Sequence, residues 1–193
     1  DQVYVSGNWR AWIEWFNSNT IERNRIENID DFLDVIVYNL PNLYEVVEED
    51  EIPVPIKNIT AEFITDRAVS HELVRHRPAS YSQESQRYVR YDGGMQFIKP
   101  AWYNTAHEHV KSLWKTSMAE DEAVYKLMIN TGMKPEDART FLPNSTATKI
   151  VTTASVTQWN HMFKLRLSPA AYPQIRMLLT PVYSYFAERE WIL

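Results

Sequence analysis

Arg75, His76 and Arg77 stand in a row, and a run of hydroxyl and amide residues follows at Ser80, Ser82, Gln83, Ser85 and Gln86, closed by Arg87. Guanidinium forks bind phosphates and carboxylates in a bidentate way. Neutral hydroxyls and amides donate and accept at the edge of a ring. The combination suits a ligand that is both anionic and heteroaromatic, such as a nucleotide. The same composition also describes a solvated basic loop, because surface arginines are common.

Two other chemistries can be weighed on the same stretch. His71-Glu72 followed by His76 suggests a metal, but the histidines are one residue too far apart for the helical zinc motif, which needs them four apart. No metal site is expected. Ser85 suggests a nucleophile. No glycine elbow surrounds it, and the neighbouring arginines cannot serve as its base, so a hydrogen-bonding role toward a ligand is expected instead.

The elements that must position these residues follow from periodicity. Ile59 to Thr65 alternates as a strand, with Ile59, Ala61 and Phe63 on one face and Thr60, Glu62 and Ile64 on the other. Ala68 to Val74 reads as a short helix that delivers the arginine cluster. Tyr91-Asp92-Gly93-Gly94 is a turn signal, and Met95 to Ile98 a strand ended by Pro100. Thr105 to Thr131 is the longest helix, with Gly132 to cap it. Pro135 suits the first turn of a further helix that Pro143 stops. Ile150 to Thr153 is strand-like, Ser155 can cap a helix running to Leu167, and Pro169 to Phe186 is a last helix with a kink expected at Pro181. Upstream, Val3 to Val5 reads as a strand, Trp9 to Phe16 and Ile29 to Leu40 as helices, and Glu48 to Glu51 as a solvated acidic loop.

Composition bounds the answer. The 193 residues are 45% hydrophobic and 23% charged, as in an ordinary globular protein, and are expected to form one domain over residues 1–193. The chain opens at Asp1 rather than Met, so the native N-terminus is expected to lie upstream. No apolar run reaches the length of a membrane span, and the opening residues lack a signal-peptide pattern; a cytoplasmic protein without a membrane partner is expected, bacterial, or in the host cytoplasm if viral. A net charge of −5 argues against a nucleic-acid polymer as partner but not against a mononucleotide, since a local arginine cluster overrides the net sign. With no cysteine there is neither a disulfide framework nor a thiolate nucleophile.

Arg75-His76-Arg77, seven residues, then Ser85 resembles the defining motif of the flavin-dependent thymidylate synthases. The flanks from Asp66 to Val74 and from Ser80 to Tyr88 agree, and the similarity resumes at Leu142-Pro143-Asn144 and runs to Arg176. The resemblance implies an α+β fold, with a central, mostly antiparallel sheet flanked by helices, and a homotetramer whose active sites are shared between subunits. It implies reductive methylation of dUMP to dTMP. Methylenetetrahydrofolate would give the carbon, reduced FAD the hydride, and NADPH the electrons for the flavin. The long helix is then a candidate interface element.

Carried over residue by residue, the resemblance places Glu72, Arg75, Gln83, Glu84, Ser85, Gln86, Arg87, Lys149 and Arg176 at dUMP. It places Arg75, His76, Arg77, Gln83, His161, Lys164 and Arg166 at FAD. Arg176, in Gln174-Ile175-Arg176, takes the position that polarises the pyrimidine, a fixed cation beside developing charge. Some positions depart from the family. Glu72 replaces a glutamine found in other members, and Lys149 an arginine. Ser155 and Thr157 stand where Asn and Arg are usual, and Ala170 replaces a histidine. No histidine precedes His71, so the family's His-x-Ser/Thr flavin element is missing or replaced. The aromatic segment Ser6 to Phe16 echoes the family's C-terminal helix. Two rivals stay open: a non-catalytic nucleotide- or flavin-binding relic of the fold, and a flavoprotein acting on another pyrimidine nucleotide.

Overall fold

The computed structural model describes residues 52–91 and 93–193. The expectations for the strand at Val3, the helices Trp9 to Phe16 and Ile29 to Leu40, the acidic run Glu48 to Glu51 and the Ser6 to Phe16 echo lie outside these residues. The chain divides into two compact units, residues 1–57 and 58–193. Of the first, the described part holds a single 3-10 turn, Val54–Ile56, which Pro53 leads into.

The second unit is α+β, and its sheet grows from the alternation read in the sequence. Strand β1 (Asn58–Asp66) pairs antiparallel with β3 (Ala147–Ser155), which pairs antiparallel with β2 (Ser80–Gln83) on its other side. The register sets Phe63 opposite Ile150 and Ala61 opposite Thr152, with Tyr81 on the far side of Thr152. Side chains alternate between faces, so Phe63, Thr65, Thr148, Ile150, Thr152 and Ala154 all go to one buried face. Thr60, Glu62, Ile64 and Lys149 go to the other.

Helices cover the buried face. Helix α1 (Arg67–Leu73) starts where the Asp66 carboxylate accepts the Val69 N–H at 2.7 Å, an N-cap that ends β1 and turns the chain toward the motif. Ser155 caps α4 (Val156–Arg166) in the same way through the Gln158 N–H, as expected from sequence. Helix α5 (Pro173–Ala187) completes the layer. Trp159 is fully buried, packs on Phe63 and Phe163, and donates its indole N–H to the Ile59 carbonyl at 3.0 Å. A large ring thus brings both area and a satisfied polar handle to the core. Phe186, Ile175 and Leu179 close the core from α5.

The long helix α2 (Glu108–Asn130) buries only Met118, Tyr125 and Ile129. Tyr125 and Ile129 join Ala138, Tyr91 and Leu142 in a second, smaller core. Gly132, at φ 92°, ends α2 with the expected cap, its N–H and that of Met133 reaching the carbonyls of Ile129 and Met128.

Several boundaries differ from the sequence reading. The helix expected from Pro135 to Pro143 is one α turn, α3 (Pro135–Ala138), and a 3-10 turn, Arg139–Phe141. Leu142, before Pro143, is already extended, as a residue preceding proline prefers. The strand expected over Met95 to Ile98 is reduced to the bridge Phe97 to Thr146. The last helix starts at Pro173 rather than Pro169, because Ser168 to Ala171 closes a separate turn. It then continues through Pro181, and the Thr180 hydroxyl donates to the Arg176 carbonyl at 2.7 Å.

Candidate functional site

Helix α1 ends at the motif, and Glu72 of α1 and His76 of the motif meet two partners from α4, Arg166 and His161. Arg166, in the last turn of α4, is the hub. Its Nη1 forms a salt bridge with Glu72 Oε2, its Nη2 donates to the Glu72 carbonyl at 3.3 Å, and its Nε donates to His76 Nε2 at 3.0 Å. The His161 ring stands edge-on to His76, with centroids 6.2 Å apart. Tyr81 braces the loop from below, its hydroxyl lying 2.7 Å from the Leu73 carbonyl and 2.9 Å from that of His76. Burial pushes the Tyr81 phenol up to about 12, so it remains a donor at any working pH.

His76 is 8% exposed. Burial first, then the Arg166 charge and His161, lower its pKa below the ordinary histidine value. Asp66 goes the other way: burial raises its carboxyl, the Val69 and Ala68 amides oppose that, and Glu72 adds to it. Tyr172, just before α5, is also raised, by burial and then by Asp66 and Glu72. Asp66 stood only in the flank of the motif, and Tyr172 carried no sequence signal for the site.

The remaining arginines are differently placed. Arg75 and Arg77 are exposed, and their side chains have no hydrogen-bond or ion-pair partner among the described residues. Arg176 sits in the first turns of α5, and its Nε is buried with no partner. Arg87 is taken up at the surface, 3.5 Å from Glu136 and over the Tyr88 ring. His161 and Lys164 are exposed on α4.

The polar run after the motif is partly committed to the frame. Gln83, on the inward face of β2, donates its amide to Ser70 Oγ at 2.8 Å and Thr148 Oγ1 at 3.3 Å, tying α1 to the sheet. Glu84 bonds through its backbone to Lys149 and to the Arg67 guanidinium. Ser85 opens a turn, its carbonyl accepting from Tyr88 and Val89 and its Oγ accepting the Arg87 N–H at 3.3 Å. No histidine contacts Ser85. Gln86 follows in the same turn, half-buried. Lys149 points to the open face of the sheet and pairs there with Glu62 at 3.1 Å. The sheet therefore separates Lys149 from the cluster around Arg166.

Among the described residues no group of three or more histidine, aspartate and glutamate side chains could hold a metal ion, and no helix is long and apolar enough to cross a membrane. What the site offers is a buried imidazole locked to a guanidinium, flanked by two arginines without a partner among the described residues, with a buried, unpartnered guanidinium Nε on α5. Such a set can hold an anionic ligand and place fixed positive charge beside a ring.

The family profile described as thymidylate synthase complementing protein matches residues 49–189. Similar curated proteins include the flavin-dependent thymidylate synthase of Pyrococcus furiosus, 39% identical over 127 residues, covering 64% of this chain and 52% of the relative. That of Geobacter sulfurreducens is 41% identical over 113 residues, covering 58% and 48%. That of Clostridium tetani is 33% identical over 147 residues, covering 67% and 59%. The chain spans about half the length of the first two.

Proposed function

Because the chain belongs to the thymidylate synthase complementing protein family, we propose that it acts in the reductive methylation of dUMP to dTMP. The observation that carries this reading is the pair of exposed arginines, Arg75 and Arg77, on either side of a buried histidine and without a partner among the described residues. Free guanidinium forks beside a fixed ring suit a phosphate-bearing cofactor such as FAD. When bound, the reduced flavin supplies the hydride and methylenetetrahydrofolate the one-carbon unit, with NADPH restoring the flavin.

The chain's own residues hold, orient and polarise. Arg75 and Arg77 take the anionic part of the cofactor, with His76, Arg166, His161 and Lys164 along its edge. Ser85, Gln86 and Arg87 follow on the loop for the nucleotide. Arg176 stabilises the negative charge that builds on the pyrimidine. Its buried, unpartnered Nε supports this role over a surface ion pair, since an orphaned guanidinium N–H needs an acceptor. No protein nucleophile is needed, in keeping with a chain that has no cysteine.

Lys149 and the Arg166 cluster lie on opposite faces of one sheet. That split supports active sites completed by a neighbouring subunit, and the family resemblance supports a homotetramer. The test is Arg176→Lys, which keeps the charge and loses the planar fork. It should bind dUMP within about tenfold of the parent yet lose about 10²–10³ in single-turnover rate. Unchanged turnover would remove Arg176 from the chemistry.

A further inference from the structure

We infer that Arg166 fixes His76 as the neutral tautomer with its proton on Nδ1, so that the free edge of this buried ring presents a hydrogen-bond donor to an acceptor atom of the bound ligand. A guanidinium has five N–H donors, no acceptor, and does not deprotonate in proteins. The 3.0 Å contact from Arg166 Nε to His76 Nε2 is therefore an N–H meeting a lone pair. That excludes an imidazolium and excludes a proton on Nε2, because the hydrogen bond at one ring nitrogen decides where the proton sits. In a neutral imidazole the remaining proton is on Nδ1.

The arrangement is held from both ends. Glu72 clamps Arg166 with its carboxylate and its carbonyl, leaving only Nε to face the histidine. Tyr81 holds the backbone of His76. The titratable and charged groups around the ring are Arg166 and His161 from α4 and Glu72 from α1. Two of these disfavour a second proton on His76 outright. Nδ1 itself has no hydrogen-bond partner among the described residues, which leaves it open to a ligand. A donor prepared in this way meets a carbonyl oxygen, a phosphate oxygen or an unprotonated ring nitrogen, and rejects an N–H. Glu72 and Arg166 are thus positioning residues for His76. That the ligand is a flavin rests on the function proposed above; the tautomer does not.

The test is a long-range proton–nitrogen NMR spectrum of the full chain labelled with ¹⁵N-histidine, with His76→Gln used to assign the signal. At pH 7 the expected pattern is a protonated Nδ1 and an unprotonated Nε2. Adding FAD should shift Nδ1 and leave Nε2 unprotonated, while FAD binding is followed separately by equilibrium dialysis. Arg166→Gln, which removes the charge and can either donate or accept, should average the two nitrogens and raise the pH at which His76 titrates. A wild-type spectrum with the proton on Nε2, or with both nitrogens protonated, overturns the inference even if Arg166→Gln does not fold. Bound FAD that leaves Nδ1 unmoved overturns the donor role. Absence of FAD binding with the expected tautomer instead counts against the flavin reading alone.

Discussion

Replacing Glu72 and Arg166 by alanine, singly and together, measures what the hub of the site contributes to stability. The two side chains are 30% and 23% exposed, and the guanidinium meets both the carboxylate and the carbonyl of Glu72. A hydrogen bond to a charged group contributes about 1.5–3 kcal/mol. Partial exposure places the pair near the lower end, so a coupling energy of about 1.5 kcal/mol is expected from the double-mutant cycle. The Glu62–Lys149 pair supplies the control, at 3.1 Å but 53% and 56% exposed. Its coupling should be about 0–1 kcal/mol. It should vanish in 1 M salt, where the screening length is about 3 Å, while the Glu72–Arg166 coupling largely persists. The assay is urea unfolding of all variants at two salt concentrations. Equal couplings for the two pairs, or a Glu72–Arg166 coupling lost in salt, would refute the view that Arg166 is held rigidly against the motif.

Arg77→Ala should weaken FAD retention about 10–100-fold, the loss of one charge-assisted bond, with urea stability unchanged because the side chain has no partner among the described residues; equilibrium dialysis and unfolding curves check both halves. Ser85→Ala should keep measurable turnover with a raised requirement for dUMP, since no base contacts its hydroxyl; a covalent Ser85–nucleotide adduct in a mass spectrum would contradict it. His76 has a folded pKa below its unfolded value of 6.5, so the unfolded chain binds the extra proton first and stability falls as pH drops through about 6.5. The slope is at most about 1.4 kcal/mol per pH unit. The wild-type loss between pH 7 and 5.5 should shrink in His76→Gln, by denaturant titration at each pH.

Much of the frame was legible because it follows from local rules. The alternation at Ile59, Ala61 and Phe63 became the buried face of β1. Ser155 and Gly132 capped the helices they were expected to cap. Strand β2 carried no such signal: Ser80-Tyr81-Ser82-Gln83 has weak strand propensity and exists because β3 offers Thr152 and Ile150 as partners. The site was legible as residue types but not as geometry. Nothing in the spacing of Glu72 and Arg166, which lie ninety-four residues apart, announces their salt bridge. Nor could the sequence tell that Gln83 braces α1 while Arg75 and Arg77 have no partner among the described residues. Lys149 fell on the far face of the sheet by strand parity, a consequence of register that a motif does not encode.

The central claim is that this chain joins a flavin to dUMP for methyl transfer, and its most direct test is anaerobic single-turnover oxidation of the FAD-loaded, reduced protein. With dUMP and methylenetetrahydrofolate both present, flavin oxidation and dTMP should appear together, one for one. Omitting either substrate should abolish dTMP. A protein that takes up FAD and dUMP yet forms no dTMP under these conditions would contradict the account and mark the fold as a binding relic.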